Sequence, residues 1–529
     1  MMTYRYLKCR SVGGAGLAGA FVAGLGLLTW GAPGRAQELD PASSLLREPD
    51  AASPLLREPD LAAARFRPPV FCPVSVNPDR SLLVRDAEVL AHFSLQTVLG
   101  RIVQSAGGAP GNALAMYRQW WDANNDAAHA QTQGGPHCDD TRDGAGRAVL
   151  NGFPIDCPRQ EGLLAATNPF DGGPDSYEPL ALSNRFDLIP TPGGKNCGEY
   201  RIVYGKRSGQ TQRFDRNLLI FEAVLPNPDP SRGAAACRPV AAFWARLSTV
   251  TNAATRAQML RSFYFNGLPG FAPVISASHY GGRDRNSGQI RTNQFTNDRD
   301  YFGEGPKRQP WQLREYIVEA TRCTSRSCVP RILPRAVKIN PFGPLFAGSD
   351  AQAQDFQNDF VEHQVPLLVE NDINRIAMAT PARFNGGQST SQAPTDNDYK
   401  QQALGNGSLR NAVQNKLTAL GRNDLTPEDV MERATTQSCA GCHEVSHGRS
   451  LGGGLTWPSD PPFTFTHVNE RQELSNALQT VFLPHRGQVL SDFVCRRRIQ
   501  PLLRPDGSVE ELAEPASTPA GTLGGATIE

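Results

Sequence analysis

The stretch Cys439-Ala440-Gly441-Cys442-His443 decides how this chain is interpreted. It has the form C-x-x-C-H, in which two thiols lie one helical turn apart and an imidazole follows directly. At this spacing two thiols can bond to the two vinyl groups along one edge of a porphyrin, while the imidazole reaches the iron from one face. The motif therefore predicts one covalent haem c, with thioethers at Cys439 and Cys442 and His443 as the proximal iron ligand.

The approach to the motif is predicted to be helical. Thr426 is placed as an N-cap, Pro427 as the first helical residue and Asp429 as the partner in a capping box. A redox dithiol would instead follow a strand in a βαβ unit, and a zinc site would need a second Cys/His pair at ligand spacing. Both remain the alternatives to haem.

The first 36 residues are typical of an export signal. Basic residues precede an apolar run from Val12 to Trp30, and Gly34-Arg35-Ala36 offers the small residues that a signal peptidase needs. We expect cleavage after Ala36, with an uncleaved anchor as the alternative. Haem is attached to c-type proteins outside the bacterial inner membrane, so a periplasmic or secreted location agrees with the motif.

The cysteine count agrees with export. Setting aside Cys9 and the two motif cysteines leaves eight of the eleven, an even number that predicts up to four disulfide bonds. Proximity along the chain favours three of the pairs, and the fourth would join the start of the body to its end. The predicted pairs are Cys323–Cys328, Cys138–Cys157, Cys197–Cys237 and Cys72–Cys495.

Composition excludes some function classes. The whole chain carries a formal charge of +1, and its first 36 residues hold four basic and no acidic residues, so the mature chain is near −3. This balance gives no basic field for nucleic acid or anionic lipid. Its 529 residues predict more than one domain. The expected segments are a signal peptide (1–36), a linker with a tandem repeat (37–66), a body of unknown function (67–345), a helical connector (346–425), a haem domain (426–500) and a disordered tail (501–529).

The body is predicted to be α+β with an antiparallel sheet. Helical spacing runs from residue 80 to 125 with a break at Gly107-Gly108, and again from 240 to 264. Strand patterns cover 198–204, 217–225, 289–295 and 313–321. Charged residues interrupt these strands, and they are expected on a solvated face or, less favourably, lining a cleft; they are Arg201, Glu222, Arg314 and Glu315.

The distal side of the iron is open to several candidates. Small c-type cytochromes commonly use a downstream Met, but no Met follows Met431. His467 and His485 are the leading candidates, whereas His447 follows the motif too closely to cross the ring. The remaining options are His363, Met378 or an open site. His129 and His137 lie beside Asp139 and Asp140, where surface-loop histidines are a commoner interpretation than a metal site.

The segment 426–498 resembles the c-type cytochrome domain. It has the helix into C-x-x-C-H, a glycine-rich loop at Gly452-Gly453-Gly454-Leu455, and closing helices around 474–482 and 489–494. The resemblance implies an all-α haem domain, thioethers at Cys439 and Cys442 and proximal ligation by His443; it does not supply a distal Met. The body, with Asn184-Arg185-Phe186-Asp187-Leu188 and Cys197-Gly198-Glu199-Tyr200-Arg201, resembles uncharacterised exported bacterial proteins fused to one haem domain, which implies no activity.

The sequence thus predicts an exported monohaem protein that transfers one electron at a time to a redox partner protein or an external carrier. Arg496-Arg497-Arg498 would attract an acidic partner, or else only complement a helix C-terminus. Two other functions stay open: a peroxidase-like oxidoreductase with an open iron site, and a ligand-binding module with haem as sensor. A dihaem peroxidase is disfavoured, because it would need two such motifs.

Overall fold

The computed structural model describes residues 72, 74–126, 135–157, 159–189, 194–212, 215–281, 287–295, 311–319, 328–391, 396–459 and 467–495, with two short strands beyond them. The predicted signal peptide, the repeat-containing linker and Arg496-Arg497-Arg498 lie outside the described residues. So do His129 and Cys323. The described residues belong to one compact unit.

Strands form the centre of that unit. Numbered in chain order, they are β1 (Leu83–Val84), β2 (Val149–Leu150), β3 (Phe153–Pro154), β4 (Tyr177–Arg185), β5 (Asn196–Lys206), β6 (Asn217–Pro226), β7 (Gln289–Phe295), β8 (Trp311–Glu319), β9 (Arg331–Arg335), β10 (Ser389–Thr390), β11 (Ser450–Gly452), β12 (Leu455–Thr456), β13 (Leu502–Leu503) and β14 (Val509–Glu510). Within the described residues, eight of them make one antiparallel sheet in the order β1-β4-β5-β6-β7-β8-β10, with β9 also paired to β8. The pairs β2–β3, β11–β12 and β13–β14 are separate hairpins.

Helices cover the sheet. They are α1 (Pro78–Ser81), α2 (Ala87–Leu90), α3 (Leu95–Ser105), α4 (Ala113–Asp122), α5 (Arg238–Leu247), α6 (Ala253–Phe265), α7 (Ala351–Asp359), α8 (Val365–Leu368), α9 (Tyr399–Ala403), α10 (Gly407–Ala419), α11 (Pro427–Thr436) and α12 (Leu483–Cys495). Three π-helical turns join or extend them at Phe360–Gln364, Gly441–Val445 and Leu478–Phe482.

Both faces of the sheet are buried, and β5 shows how they differ. Tyr200, Ile202 and Tyr204 alternate onto one face, where Tyr200 stacks on Trp244 of α5 with ring centroids 5.6 Å apart. The intervening side chains, which include Arg201, point to the opposite face. That second face is covered by the C-terminal part of the chain and carries the candidate site.

The structure confirms the predicted α+β class and the antiparallel sheet. The predicted helices and strands of the body are present, with ends shifted by a few residues, as in β8. The predicted boundaries at residues 345 and 425 stay predictions. The hydrophobic core runs without interruption from Leu82 in the body to Val494 in α12. A separate cytochrome-like domain therefore remains a prediction as well.

Three of the four predicted cysteine pairs lie at disulfide distance. The Cα atoms are 5.6 Å apart in Cys72–Cys495, 5.8 Å in Cys138–Cys157 and 5.2 Å in Cys197–Cys237. Cys328 is also disulfide-bonded, while its predicted partner is outside the described residues.

None of the helices in the described parts of the chain is long and apolar enough to cross a bilayer.

The strand pattern favoured a solvated face for the charged side chains of the sheet. In the structure these side chains are buried. Arg201, Glu222, Arg314 and Glu315 are each at most 4% exposed. They are buried because both faces of the sheet are covered. Strand alternation in the sequence does not show that the second face of the sheet is covered, because the residues that cover it lie far along the chain.

Candidate functional site

The motif segment is positioned by α11. Asp429 donates its main-chain N–H to Thr426 Oγ1 at 3.2 Å, and the Asp429 carboxylate accepts from the Thr426 N–H at 2.9 Å, which completes the predicted capping box. The helix ends at Thr436, and the motif lies in the next turns. Gly441 packs so closely on the Thr435 carbonyl that a Cβ atom would collide with it, so the middle of the motif accepts only glycine.

Neither motif cysteine is in a disulfide bond, and both are buried. Cys439 packs with Trp311 and Leu313 of β8 and with Val337. Burial raises the pKa of the Cys439 thiol to about 11, so this thiol is neutral at ordinary pH. A redox dithiol needs a lowered thiol pKa, so these surroundings do not suit one.

His443 is buried and lies flat against a tryptophan. Its imidazole stacks on the Trp311 indole with ring centroids 3.9 Å apart and planes 10° apart. Burial lowers the pKa of His443 well below its usual range, so the ring is neutral. An iron ligand uses a lone pair that lies in the plane of the imidazole, and stacking on the face of the ring does not involve that lone pair.

His467 and His485 occupy different surroundings. After burial, the groups that lower the pKa of His443 are His447, His467 and Arg216, in that order. His467 also lines a small apolar cavity of about 20 Å³ against the second face of the sheet, together with Ile220 and Asn293. By contrast, the charged neighbours of His485 are Asp187, Asp372, Arg185 and Arg486.

The other candidate ligands have different surroundings. His447 turns back so that its Nε2 lies 3.2 Å from the Cys442 carbonyl oxygen. His363 is an exposed side chain beside Asp359, and Met378 is part of the main hydrophobic core. His137 is mostly buried, with Nε2 3.5 Å from a carboxylate oxygen of Asp122. No group of three or more His, Cys, Asp or Glu side chains is arranged to hold a metal ion among the residues that the structure describes.

A buried network of charged side chains lies beneath the motif on the same face of the sheet. Arg291 on β7 donates to Glu315 on β8 at 3.1 and 3.2 Å and approaches Glu222 on β6 at 3.5 Å. Arg201 on β5 lies 3.4 Å from Glu222 and also donates to Glu199. Burial raises the pKa of Glu222 to about 7, although both guanidinium groups oppose this effect.

This network is close to the motif. Arg291, Glu315, Glu222 and Arg201 all act on the ionisation of Cys439, with Arg291 the strongest of the four. Lys338 completes the set, since its main-chain N–H reaches Glu315 at 3.2 Å and its ammonium reaches Gln289 at 2.6 Å. The network thus places Glu199, Glu222 and Glu315 among the cationic groups of Arg201, Arg291 and Lys338.

Comparison with known proteins gives no relative from which a function could be taken. No protein-family model matches the chain, and no curated protein and no solved structure matches it either.

The structure adds residues to the site that the motif did not indicate. Trp311 holds the face of His443, and Ser389 on β10 accepts the Ala440 N–H through its Oγ at 3.0 Å. Strand alternation offered a partial signal, because it places Trp311, Leu313 and Glu315 on one face of β8. Nothing in the sequence says that this face meets the motif, since that contact depends on the fold of the whole unit.

Proposed function

We propose that this chain binds one haem c covalently at Cys439 and Cys442, with His443 as proximal ligand, and that it carries single electrons. One observation carries the proposal. Neither motif cysteine is in a disulfide bond, and both lie beside a buried neutral imidazole, whereas the other cysteines within the described residues are disulfide-bonded. Two cysteines outside the disulfide bonds of an otherwise oxidised set are expected where another covalent partner takes them.

The residues present fit such a group. His443 is a neutral imidazole, which is the form that binds iron, and Trp311 stacks on its ring. Bound haem would supply a reversible one-electron iron couple, whose potential depends on the axial ligands and on the burial of the porphyrin. The chain's own contribution is to hold the imidazole orientation and to exclude water, because the motif and its surroundings are buried.

We propose His467 as the distal ligand. It lines a cavity against the second face of the sheet, where the motif lies, whereas His485 lies among the charged groups Asp187, Asp372, Arg185 and Arg486. Ligation by two imidazoles lowers the potential relative to a His/Met pair. This ligand set suits an electron carrier better than an enzyme, because it leaves no open position for peroxide.

An extracytoplasmic location is part of the same proposal. The cysteine pairs at disulfide distance support a compartment that is oxidising, and the first 36 residues have the pattern of an export signal. We propose the bacterial periplasm or secretion, with a redox protein or a small external carrier as partner.

The decisive experiment is expression of the exported full chain with a working cytochrome maturation system. We expect the denatured protein to keep one haem, seen as a c-type pyridine haemochrome spectrum and as the mass of one added haem. The variant Cys439→Ser/Cys442→Ser should lose the covalent haem completely. The variant Cys138→Ser/Cys157→Ser removes a disulfide by the same substitution and should keep it. A wild-type protein that is colourless after export and maturation contradicts the proposal.

The distal assignment makes a separate prediction. His467→Ala should convert the oxidised haem from low spin to largely high spin and permit cyanide or carbon monoxide to bind, because one axial position becomes open. His485→Ala should leave the spin state unchanged. Absorption and electron paramagnetic resonance spectra of the oxidised proteins measure both effects. If the wild-type haem is already high spin and binds these ligands, the peroxidase-like or sensor function is favoured instead.

A further inference from the structure

The sheet of the body reaches the motif through several independent contacts. Trp311 stacks on His443, and Leu313 and Val337 pack with Cys439 and Ala440. Two polar contacts join the same surfaces. They are the bond from the Ala440 N–H to Ser389 Oγ at 3.0 Å and the bond from Ser391 Oγ to the Glu444 carboxylate at 2.8 Å.

The indole of Trp311 is itself held in place. It is 1% exposed, and its Nε1–H donates to the Asn293 side-chain oxygen on the neighbouring strand β7. An indole fixed by both packing and a hydrogen bond has little rotational freedom. It can therefore impose one orientation on the imidazole that stacks against it.

We infer that the sheet of the body forms the proximal wall of the haem site, with Trp311 as the residue that positions His443. This inference rests on the haem binding proposed above and goes beyond it, because it gives the body a role. The haem site is then shared between β8 and the motif segment rather than contained within residues 426–500. The electronic structure of the iron depends on the orientation of the axial imidazole, so substitutions in the body change the haem spectrum from a distance in sequence.

The first test uses the full-length, haem-loaded protein. Trp311→Ala should replace the single low-spin electron paramagnetic resonance signal with a broadened set of signals, because the imidazole plane is no longer fixed. Trp311→Phe keeps an aromatic face and should give an intermediate result. Trp244→Phe removes an equally buried indole from the opposite face of the sheet and should leave the signal unchanged. Unchanged signals in both Trp311 variants overturn the inference.

The second test needs no haem. In the full-length Cys439→Ser/Cys442→Ser protein, the melting temperature is measured for Trp311→Leu, for His443→Ala and for the two combined. Because each substitution removes the same stacking contact, the combined loss should be smaller than the sum of the single losses. Additive losses overturn the inference. If the wild-type protein binds no haem, the proposed function is overturned as well. If the wild-type protein binds haem but the losses are additive, only the role of the sheet is overturned.

Discussion

Replacing Arg433 with Met is expected to reduce the free energy of unfolding by about 4 kcal/mol. The Arg433 side chain is fully buried in α11 and donates to main-chain carbonyl oxygens at four positions. They are Leu451 at 2.6 Å, Glu370 at 2.8 Å, Leu368 at 2.9 Å and Gly452 at 3.3 Å. Met fills a similar volume but donates nothing, and each buried carbonyl left without a donor costs about 1–3 kcal/mol.

Urea unfolding followed by circular dichroism measures this loss. Arg433→Lys keeps the charge but cannot reach all four carbonyls, so it should be destabilised less than Arg433→Met. Arg383→Met is the matched control, because Arg383 is more than half exposed and bonds Asp355 at 3.0 Å. It should cost less than about 1 kcal/mol. Equal losses in the Arg433 and Arg383 variants would show that the carbonyl contacts contribute little.

The second large effect concerns the network beneath the motif. Arg291→Met should cost about 3–5 kcal/mol of unfolding free energy, because it leaves Glu222 and Glu315 buried with less positive charge around them. The combined variant Arg291→Met/Glu315→Met should recover most of the loss, since a buried pair can be replaced by apolar side chains at little cost.

The same sheet offers an exposed control for this prediction. Arg331 on β9 lies 3.6 Å from Glu319 on β8, and the two side chains are 54% and 38% exposed. Arg331→Met should cost less than about 1 kcal/mol, because water screens the pair. Chemical unfolding at one pH measures the free energy of unfolding of the wild type, Arg291→Met, Arg291→Met/Glu315→Met and Arg331→Met. If Arg291→Met costs no more than Arg331→Met, the network is not an energetically coupled unit.

Local signals in the sequence predicted a large part of this fold. The capping box at Thr426 and Asp429 depends on residues three apart, and the structure has it as predicted. The pairs Cys138–Cys157 and Cys197–Cys237 followed from proximity along the chain, and Cys72–Cys495 was left by elimination. Each of these predictions depended either on residues close together in the sequence or on the number of cysteines that remained.

The site itself was predictable only in its covalent part. The C-x-x-C-H motif can be recognised in the sequence from its spacing. The contact between Trp311 and His443 joins positions far apart in sequence and could not be predicted. The burial of Arg201 and Glu222 was missed for a related reason. Charges in a strand are usually solvated, and only the C-terminal segment folded over the sheet removes them from water. The choice between His467 and His485 likewise depends on tertiary placement.

The bond between Cys72 and Cys495 spans 423 positions and turns almost the whole described chain into a covalent ring. Such a ring can close only after its last cysteine has emerged, so every strand and helix between the two ends is available before closure. Once closed, it keeps the molecule in one piece when a protease cuts any single loop inside it. A nicked copy would consist of two fragments joined through Cys72 and Cys495, and denaturing electrophoresis would separate them only after reduction of the disulfide bonds.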